Sequence, residues 1–262
     1  MERNTENEQM YGSFAFVYDS FMDNVPYDQW AGRYEEILRQ YGIKDGILLD
    51  LGCGTGNMTL RFCQKGYDMI GIDCSVDMLE VAREKSEGMD ILYLEQDMRE
   101  FELYGTVKAV ICVCDSINYI LDPEEVEQVF RLVDNYLDPE GIFLFDFNTD
   151  YKYREIIGSQ VIAEDREEMS FIWDNDYDEE SRINEYELSL FIREQDDLYR
   201  KYQELHYQRG YTLEEMKEAL SHAGLLFLSA EDGEEGGPVT ETTGRILITA
   251  RECKKGKNLE VR

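Results

Sequence analysis

The stretch Leu48-Leu49-Asp50-Leu51-Gly52-Cys53-Gly54-Thr55-Gly56-Asn57 decides how this chain folds. An apolar run of strand length, Ile47 to Leu51, passes straight into three alternating glycines, and a helical pattern begins at Asn57. Glycines in such a strand-to-helix turn let the backbone approach a ligand where a Cβ would collide. The amides at the helix start then face that ligand. Seventeen residues beyond Gly56, Asp73 closes the next apolar run, Tyr67 to Asp73. A carboxylate there can accept hydrogen bonds from ribose hydroxyls. The spacing is GxGxG, whereas the turn that cradles a dinucleotide pyrophosphate is GxGxxG. Asp50, two positions before the first glycine, would repel a phosphate and suit an ammonium group. The turn reads as a site for an amino-acid nucleoside.

Outward from this turn, short apolar runs alternate with amphipathic stretches from Asp45 to about Phe147, the signature of a parallel sheet with crossover helices. Strands are expected at 47–51, 67–73, 90–94, 107–114 and 142–147, and helices at 57–65, 75–85 and 123–137. Ser75 is placed to cap the second helix, and Asp122-Pro123 gives the third an N-cap followed by proline. Asp138-Pro139-Glu140-Gly141 reads as a turn. From Tyr151 to Tyr211 the pattern becomes long, charged and alternating, with strands at 160–164, 170–177, 182–193 and 198–209, an antiparallel meander with one wet face. The first pattern resumes with a helix at 212–223, capped by Thr212 and Glu215 and stopped by Gly224. Strands at 225–230 and 245–250 close the sheet. The expected fold is α/β: a Rossmann-like, seven-stranded, mostly parallel sheet with helices on both faces, plus a small inserted antiparallel β region. The expected organisation is an N-terminal helical lid at 1–44, a nucleoside-binding domain at 45–150 and 211–252, an inserted substrate cap at 151–210 and a flexible tail at 253–262.

The 262 residues carry 57 acidic against 26 basic side chains, a net charge of −31. A field of that sign repels phosphate backbones and opposes a nucleic-acid partner. It favours cationic or amine-bearing ligands; the plainer reading is that it serves solubility. Six cysteines form no CxxC pair and the two histidines lie far from them in sequence, so no zinc site is expected. The longest apolar runs are strand-length, which excludes a membrane span. Met1 to Gln9 is polar and acidic, with no basic start leading into an apolar stretch. A cytoplasmic protein with free thiols is expected.

At these residues the chain resembles the class I S-adenosylmethionine-dependent methyltransferases. LLDLGCGTGNMTL is similar to their first motif, and Gly71-Ile72-Asp73-Cys74-Ser75-Val76-Asp77-Met78-Leu79 to their second strand and following turn. Leu94-Glu95-Gln96-Asp97-Met98 resembles the segment that holds adenine, and Cys114-Asp115-Ser116-Ile117-Asn118-Tyr119 falls where the fourth strand opens onto the reacting methyl. The likeness runs from about Tyr11 to Ala250 and is strongest from Ile47 to Phe147. It implies S-adenosyl-L-methionine as cofactor and S-adenosylhomocysteine as product. Gly52, Gly54 and Gly56, with Cys53 and Asn57, would line the methionine and ribose part, and Asp50 would sit near the methionine amino group. Asp73 would bind the ribose diol, with Cys74 and Met78 against adenine. Gln96 belongs to the adenine segment, in which Asp97 would accept from the exocyclic amine and Met98 offer its amide. Cys114 and Asn118 would flank the methyl group. Asp97 also suits a helix cap, and Met78 simple core packing.

Before the first strand, Phe14, Val17, Tyr18 and Phe21 share a helical face, and Trp30 follows. This is either a packing helix or, by the same resemblance, a lid over the cofactor touched by Tyr18 and Trp30. Water exclusion would then follow from its closure. The inserted strands should lie above the carboxyl ends of the parallel strands, where ligands bind in open α/β sheets. Alternation puts Tyr202, Glu204 and His206 on one face, so His206 is either a general base facing the substrate or a surface residue of a wet sheet. The insertion can equally serve a dimer interface, leaving monomer and homodimer open.

Methyl transfer from a sulfonium is an in-line displacement that needs no enzyme nucleophile, and a base only for a protonated acceptor. The sequence accordingly shows no GxSxG, HExxH or GxxxxGK[ST]. The expected activity is methylation of a small molecule at an unspecified N, O or C atom. A non-catalytic S-adenosylmethionine-binding or assembly protein on the same fold is the alternative. An NAD(P)-dependent oxidoreductase is disfavoured by the glycine spacing, and a nucleic-acid methyltransferase by the acidity.

Overall fold

Runs rich in Leu, Ile and Val at 47–51, 107–113 and 142–147 are apolar on both faces, as strands covered on both sides must be. In the computed structural model, which describes residues 15 and 18–255, they form the centre of a seven-stranded sheet. Its strands are β1 (Ile47–Leu51), β2 (Asp68–Asp73), β3 (Ile91–Glu95), β4 (Val107–Cys112), β5 (Leu137–Asn148), β10 (Leu225–Asp232) and β11 (Arg245–Glu252), in the spatial order β10-β11-β5-β4-β1-β2-β3. β1 to β5 pair in parallel, and β11 joins β5 antiparallel. Strand order reverses between β1 and β4, the point at which open α/β sheets bind ligands.

Helices α1 (Tyr27–Gln40) and α2 (Asn57–Gln64) cover one face, and α4 (Pro123–Tyr136) and α5 (Leu213–Ala223) the other; α3 (Val76–Lys85) packs on Cys53 and Tyr93. The period of two in β5 sorts its side chains between the layers. Ile142 and Leu144 meet α1 and α2, while Phe143, Phe145 and Phe147 meet α4 and α5, with Phe143 and Phe145 stacked at 4.6 Å. The expected caps are in place. Ser75 Oγ accepts from Met78 N at 3.3 Å, Asp122 from Glu124 N, and Thr212 and Glu215 form the reciprocal capping box, with Gly224 left-handed at the end.

Most element ends shift by a residue or two, and three of the differences have a visible reason. β4 stops at Cys112 rather than 114, because Cys114 and Asp115 turn to φ 61° and 52°. The turn expected at 138–141 is paired within β5 as an irregularity, with Glu140 at φ 63° and its N–H held by Glu252 Oε2 at 3.1 Å. The start of the expected tail is anchored: Lys255 Nζ donates to the carbonyls of Asp134, Asn135 and Leu137 at the end of α4. Phe14, Val17 and residues 256–262 lie outside the described residues.

The insertion is a separate antiparallel sheet of β6 (Val161–Asp165), β7 (Met169–Asp178), β8 (Ile183–Gln195) and β9 (Leu198–Arg209), entered through a π-helical turn at Lys152–Ile157. Its register aligns Trp173, Leu188 and Glu204 in one row and Asn175, Tyr186 and His206 in the next. One face therefore carries the aromatic and apolar side chains, and the other exposes Ile172, Leu205 and Tyr207 among charges. The chain leaves and rejoins the main sheet at a single bridge between Thr149 and Tyr211.

Replacing Thr212 by Ala removes the hydroxyl that receives the Glu215 amide. Urea unfolding should show a loss of about 1 kcal/mol, typical of a lost N-cap.

Candidate functional site

The turn after β1 is shaped by positive φ at Gly52 (75°), Gly54 (53°) and Gly56 (76°). A Cβ at Gly52 would come within 2.8 Å of Ser116 Cβ, whereas one at Gly54 would meet no protein atom within 4 Å, so space is kept open there. The Gly54 amide donates to Asp73 Oδ2 at 2.7 Å, and Ser75 N donates to Oδ1 at 2.9 Å. Burial raises the Asp73 carboxyl above its ordinary value, and these amides hold it back. Asp50 is buried beneath the turn and accepts from Thr59 Oγ1 at 2.5 Å. Burial pushes its pKa up to about 7 against that hydrogen bond.

Above the turn lies a cavity of about 580 Å³ that runs from the ends of β1–β4 up to the inserted sheet. It brings together most of the residues singled out from sequence: Tyr18, Asp50, Gly52, Cys53, Gly54, Asn57, Asp73, Cys74, Met78, Gln96, Asp97, Met98 and Cys114, with His206 at the far end. Asp97 carries an ion pair with Arg99 (2.6 Å) and accepts from Arg99 N, and the guanidinium holds its carboxyl below the usual range. Three expected residues do not line the cavity. Gly56 is the N-cap of α2. Trp30 packs edge-on to Tyr27 and under the Arg245 guanidinium, 5.3 Å from its ring centroid. Asn118 is fully buried, and Nδ2 donates to the carbonyls of Asn148 (2.8 Å) and Arg209 (2.7 Å) while Oδ1 accepts from Asn148 N (2.9 Å). It ties β5, β9 and the 3-10 turn Ser116–Tyr119 together.

Sequence reasoning passed over the charged floor beside Cys114. Asp146 accepts from Cys114 N (3.1 Å), Asp115 N (2.9 Å), Tyr34 Oη (3.0 Å) and Arg245 (2.7 Å), and Arg245 also binds Asp115 at 2.6 Å. Burial drives the Cys114 thiol and the Tyr34 phenol well up, so both are neutral donors at physiological pH. A signal existed: Asp146 is the one charge in the apolar stretch 142–147 and Arg245 heads the apolar stretch 246–250, and a charge buried in a strand needs a partner.

A second omission is the latch at Asp19. Its carboxylate accepts from Thr55 Oγ1 (2.7 Å), Asn57 Nδ2 (2.7 Å) and Lys85 Nζ (2.6 Å), which fixes the helical residues 18–21 to the glycine turn. Arg166, from the loop between β6 and β7, binds Ser20 O and Asp23, and Phe21 meets Phe171 edge-on at 4.9 Å. The same segment thus touches both the floor and the roof of the cavity.

With this geometry in hand, comparisons with known proteins give consistent results. Residues 48–141 match the model of a methyltransferase domain. A protein of Geobacillus sp. (strain WCH70) that carries a methyltransferase name is 33% identical over 92% of this chain and 99% of its own length. An S-adenosylmethionine-dependent methyltransferase from Clostridium acetobutylicum ATCC 824 superposes with a TM-score of 0.84 at 28% identity, covering 93% of this chain and 99% of that one. Over a shorter reach, 52% of this chain and 53% of the relative, the chain is 28% identical to the dTDP-3-amino-3,6-dideoxy-alpha-D-glucopyranose N,N-dimethyltransferase of Streptomyces fradiae.

Two measurements probe the buried carboxylates. Asp50 titrates near 4 in an unfolded chain and at about 7 here. The folded state therefore holds its proton more tightly, and the group's stabilisation is complete below pH ~4 and lost as pH rises through about 7. In thermal melts of the ligand-free protein from pH 5 to 8, Asp50→Asn should remove that downward slope. Asp146→Ala leaves the Arg245 charge half-paired, and denaturant unfolding should fall by about 3 kcal/mol or more.

Proposed function

Because the chain belongs to the S-adenosylmethionine-dependent methyltransferases, we propose that the cavity holds the cofactor on its floor and a small, amine-bearing acceptor beneath the inserted sheet. The residues present fit an amino-acid nucleoside better than a diphosphate. Two carboxylates, the buried Asp50 and the half-buried Asp73, line the turn, and the adjacent cation, Lys85, is spent on Asp19 and Asn57. Asp73, already oriented by two amides, takes the ribose hydroxyls on its remaining lone pairs. Cys74, Met78, Gln96, Asp97 and Met98 flank the base, Cys53 and Asn57 the ribose side, and Asp50 the methionine end. Cys114 lies against the reacting methyl, with Tyr18 closing the cavity from the lid segment. Trp30, Gly56 and Asn118 act one layer out: Trp30 supports Arg245, Gly56 starts α2, and Asn118 fixes the loop that carries Tyr119.

When bound, the cofactor supplies a methyl group already activated by its sulfonium. The protein's part is alignment and exclusion of water, and alignment is worth roughly 7–11 kcal/mol in favourable cases. The Asp19 latch and the Arg166 contacts keep residues 18–23 over the cleft. An amine-bearing acceptor is supported by the chain's net charge of −31, which favours cationic ligands, and by the amino-sugar N-methylation named for the Streptomyces fradiae relative. Among the described residues no helix is long and apolar enough to cross a membrane, and a cytoplasmic setting suits the six free thiols.

The observation that carries this reading is the Gly54 amide on Asp73 at 2.7 Å, at the lip of an open cavity. Calorimetry with S-adenosylhomocysteine should show binding by the wild type that Asp73→Ala and Gly54→Val each weaken at least tenfold. Gly54 sits at φ 53°, so valine strains the backbone there even though a Cβ would find open space; circular dichroism checks that this variant is folded, and Asp73→Ala, which leaves the backbone path alone, carries the test where it is not. A wild-type chain that binds neither S-adenosylmethionine nor its demethylated product at millimolar concentration overturns the proposal.

A further inference from the structure

The inner face of the inserted sheet carries a line of polar groups that cofactor binding does not use. Glu204 is 4% exposed, and its Oε2 lies 3.0 Å from His206 Nε2. The other imidazole nitrogen, Nδ1, faces the Tyr119 hydroxyl at 3.5 Å, and that hydroxyl shares a 2.6 Å hydrogen bond with Tyr186. The imidazole plane is fixed by packing: the Tyr186 ring stacks on it at 4.8 Å and 14°, and Tyr119 meets it edge-on at 6.0 Å. Tyr119, Tyr186 and His206 all line the cavity, whereas Glu204 does not. Its Oε1 is buried with no hydrogen-bond partner among the described residues. A carboxyl group in that position is costly, so its one contact needs a reason.

We propose that the Glu204 carboxylate holds His206 in its Nε2–H form, and that Nδ1 then takes the proton of the methyl acceptor by way of the Tyr119 hydroxyl. This rests on the cofactor reading above and deepens it by naming the acceptor class: a neutral nucleophile that carries a removable proton, an amine or a hydroxyl. As the acceptor lone pair forms its bond to the methyl carbon, the carbon–sulfur pair returns to sulfur. The acceptor N–H or O–H proton passes to the Tyr119 oxygen, whose own proton moves to Nδ1. The balance is one methyl transferred and one proton stored as imidazolium. An ionised carboxylate can only accept at Nε2, which fixes the tautomer as the triad carboxylate does for its histidine. Glu204 is a positioning residue, since it acts through His206. The titratable groups that face the imidazole among the described residues are Glu204 on β9, Tyr186 on β8 and Tyr119 on the 3-10 turn. Asp115, at the end of β4, is engaged by Arg245 and Gln208.

The chain has two histidines, so nitrogen-15 NMR of histidine-labelled full-length protein reads the tautomer directly. His222 lies on α5 beside Glu127 and serves as an internal control. The expected spectrum has His206 as the Nε2–H form at neutral pH, with the Nδ1–H form appearing in Glu204→Gln. A predominantly Nδ1–H form in the wild type, or a spectrum unchanged by Glu204→Gln, overturns the proposal. In parallel, release of S-adenosylhomocysteine is followed over a panel of primary amines and alcohols. With any substrate found, His206→Asn should lower kcat on the order of 10²-fold, remove the acidic limb of the pH–rate profile and leave KM for S-adenosylmethionine unchanged. Retention of turnover within threefold overturns the proposal, and where no panel member reacts the tautomer decides. Calorimetry with S-adenosylhomocysteine on the same proteins separates the two readings: failure of wild-type binding sinks the cofactor assignment and leaves the tautomer result standing on its own.

Discussion

The carboxylate of Asp146 is the point on which four elements converge. It takes two backbone amides from the end of β4, a phenol from α1 and a guanidinium from β11. Without those acceptor sites Cys114 and Asp115 would have no reason to leave the strand for a left-handed conformation, which non-glycine residues adopt rarely and at a cost. That departure turns the chain beneath the cavity and carries Ser116 to Tyr119 toward the inserted sheet. A carboxylate with several charge-assisted donors is among the strongest anchors a protein interior offers. It also makes removal of any one partner expensive.

The same logic governs the turn after β1. Its glycines supply a backbone path that other residues follow only with strain, and its amides are spent inside the protein, Gly54 N on Asp73 and Gly52 N and Cys53 N on the Ile72 carbonyl, rather than left to a phosphate. Two neighbouring carboxyls with pKa values raised by burial create a floor that favours positive charge. Electrostatics and backbone geometry therefore select the same class of ligand. The chain's overall acidity agrees with that choice at longer range, where it acts on encounter and partner choice rather than on fold.

Much of this was legible in the sequence, for reasons that differ by element. The parallel sheet announced itself because both-face burial makes strands continuously apolar, and GxGxG with Asp73 marks its turn. The period of two places Tyr202, Glu204 and His206 on one face of the insertion, but which way that face looks is set by contacts that alternation does not encode. Less legible were contacts between segments distant in sequence. Asp19 with Lys85, and Asp146 with Arg245, are ordinary charges until the fold brings them together. The family resemblance implies a methyl-side contact for Asn118 and, as one of two readings, a lid contact for Trp30, yet Trp30 packs under Arg245 and Asn118 is spent on three backbone groups. The irregular start of β5 was read as a turn because Pro139 and Gly141 punctuate it. Its Glu140 amide is caught by Glu252 from a strand more than a hundred residues away.

The bridge between Thr149 and Tyr211 brings both ends of a sixty-residue excursion to one spot on the main sheet. Asp150 N donates to Tyr211 O there at 3.0 Å. Entry and exit are thus already joined, and the parent sheet is indifferent to how long or how folded the excursion becomes, since loop closure costs grow only slowly with length. Evolution can therefore exchange one roof for another as a cassette. The sheet that carries the glycine turn can stay as it is while the strands inserted above it diverge.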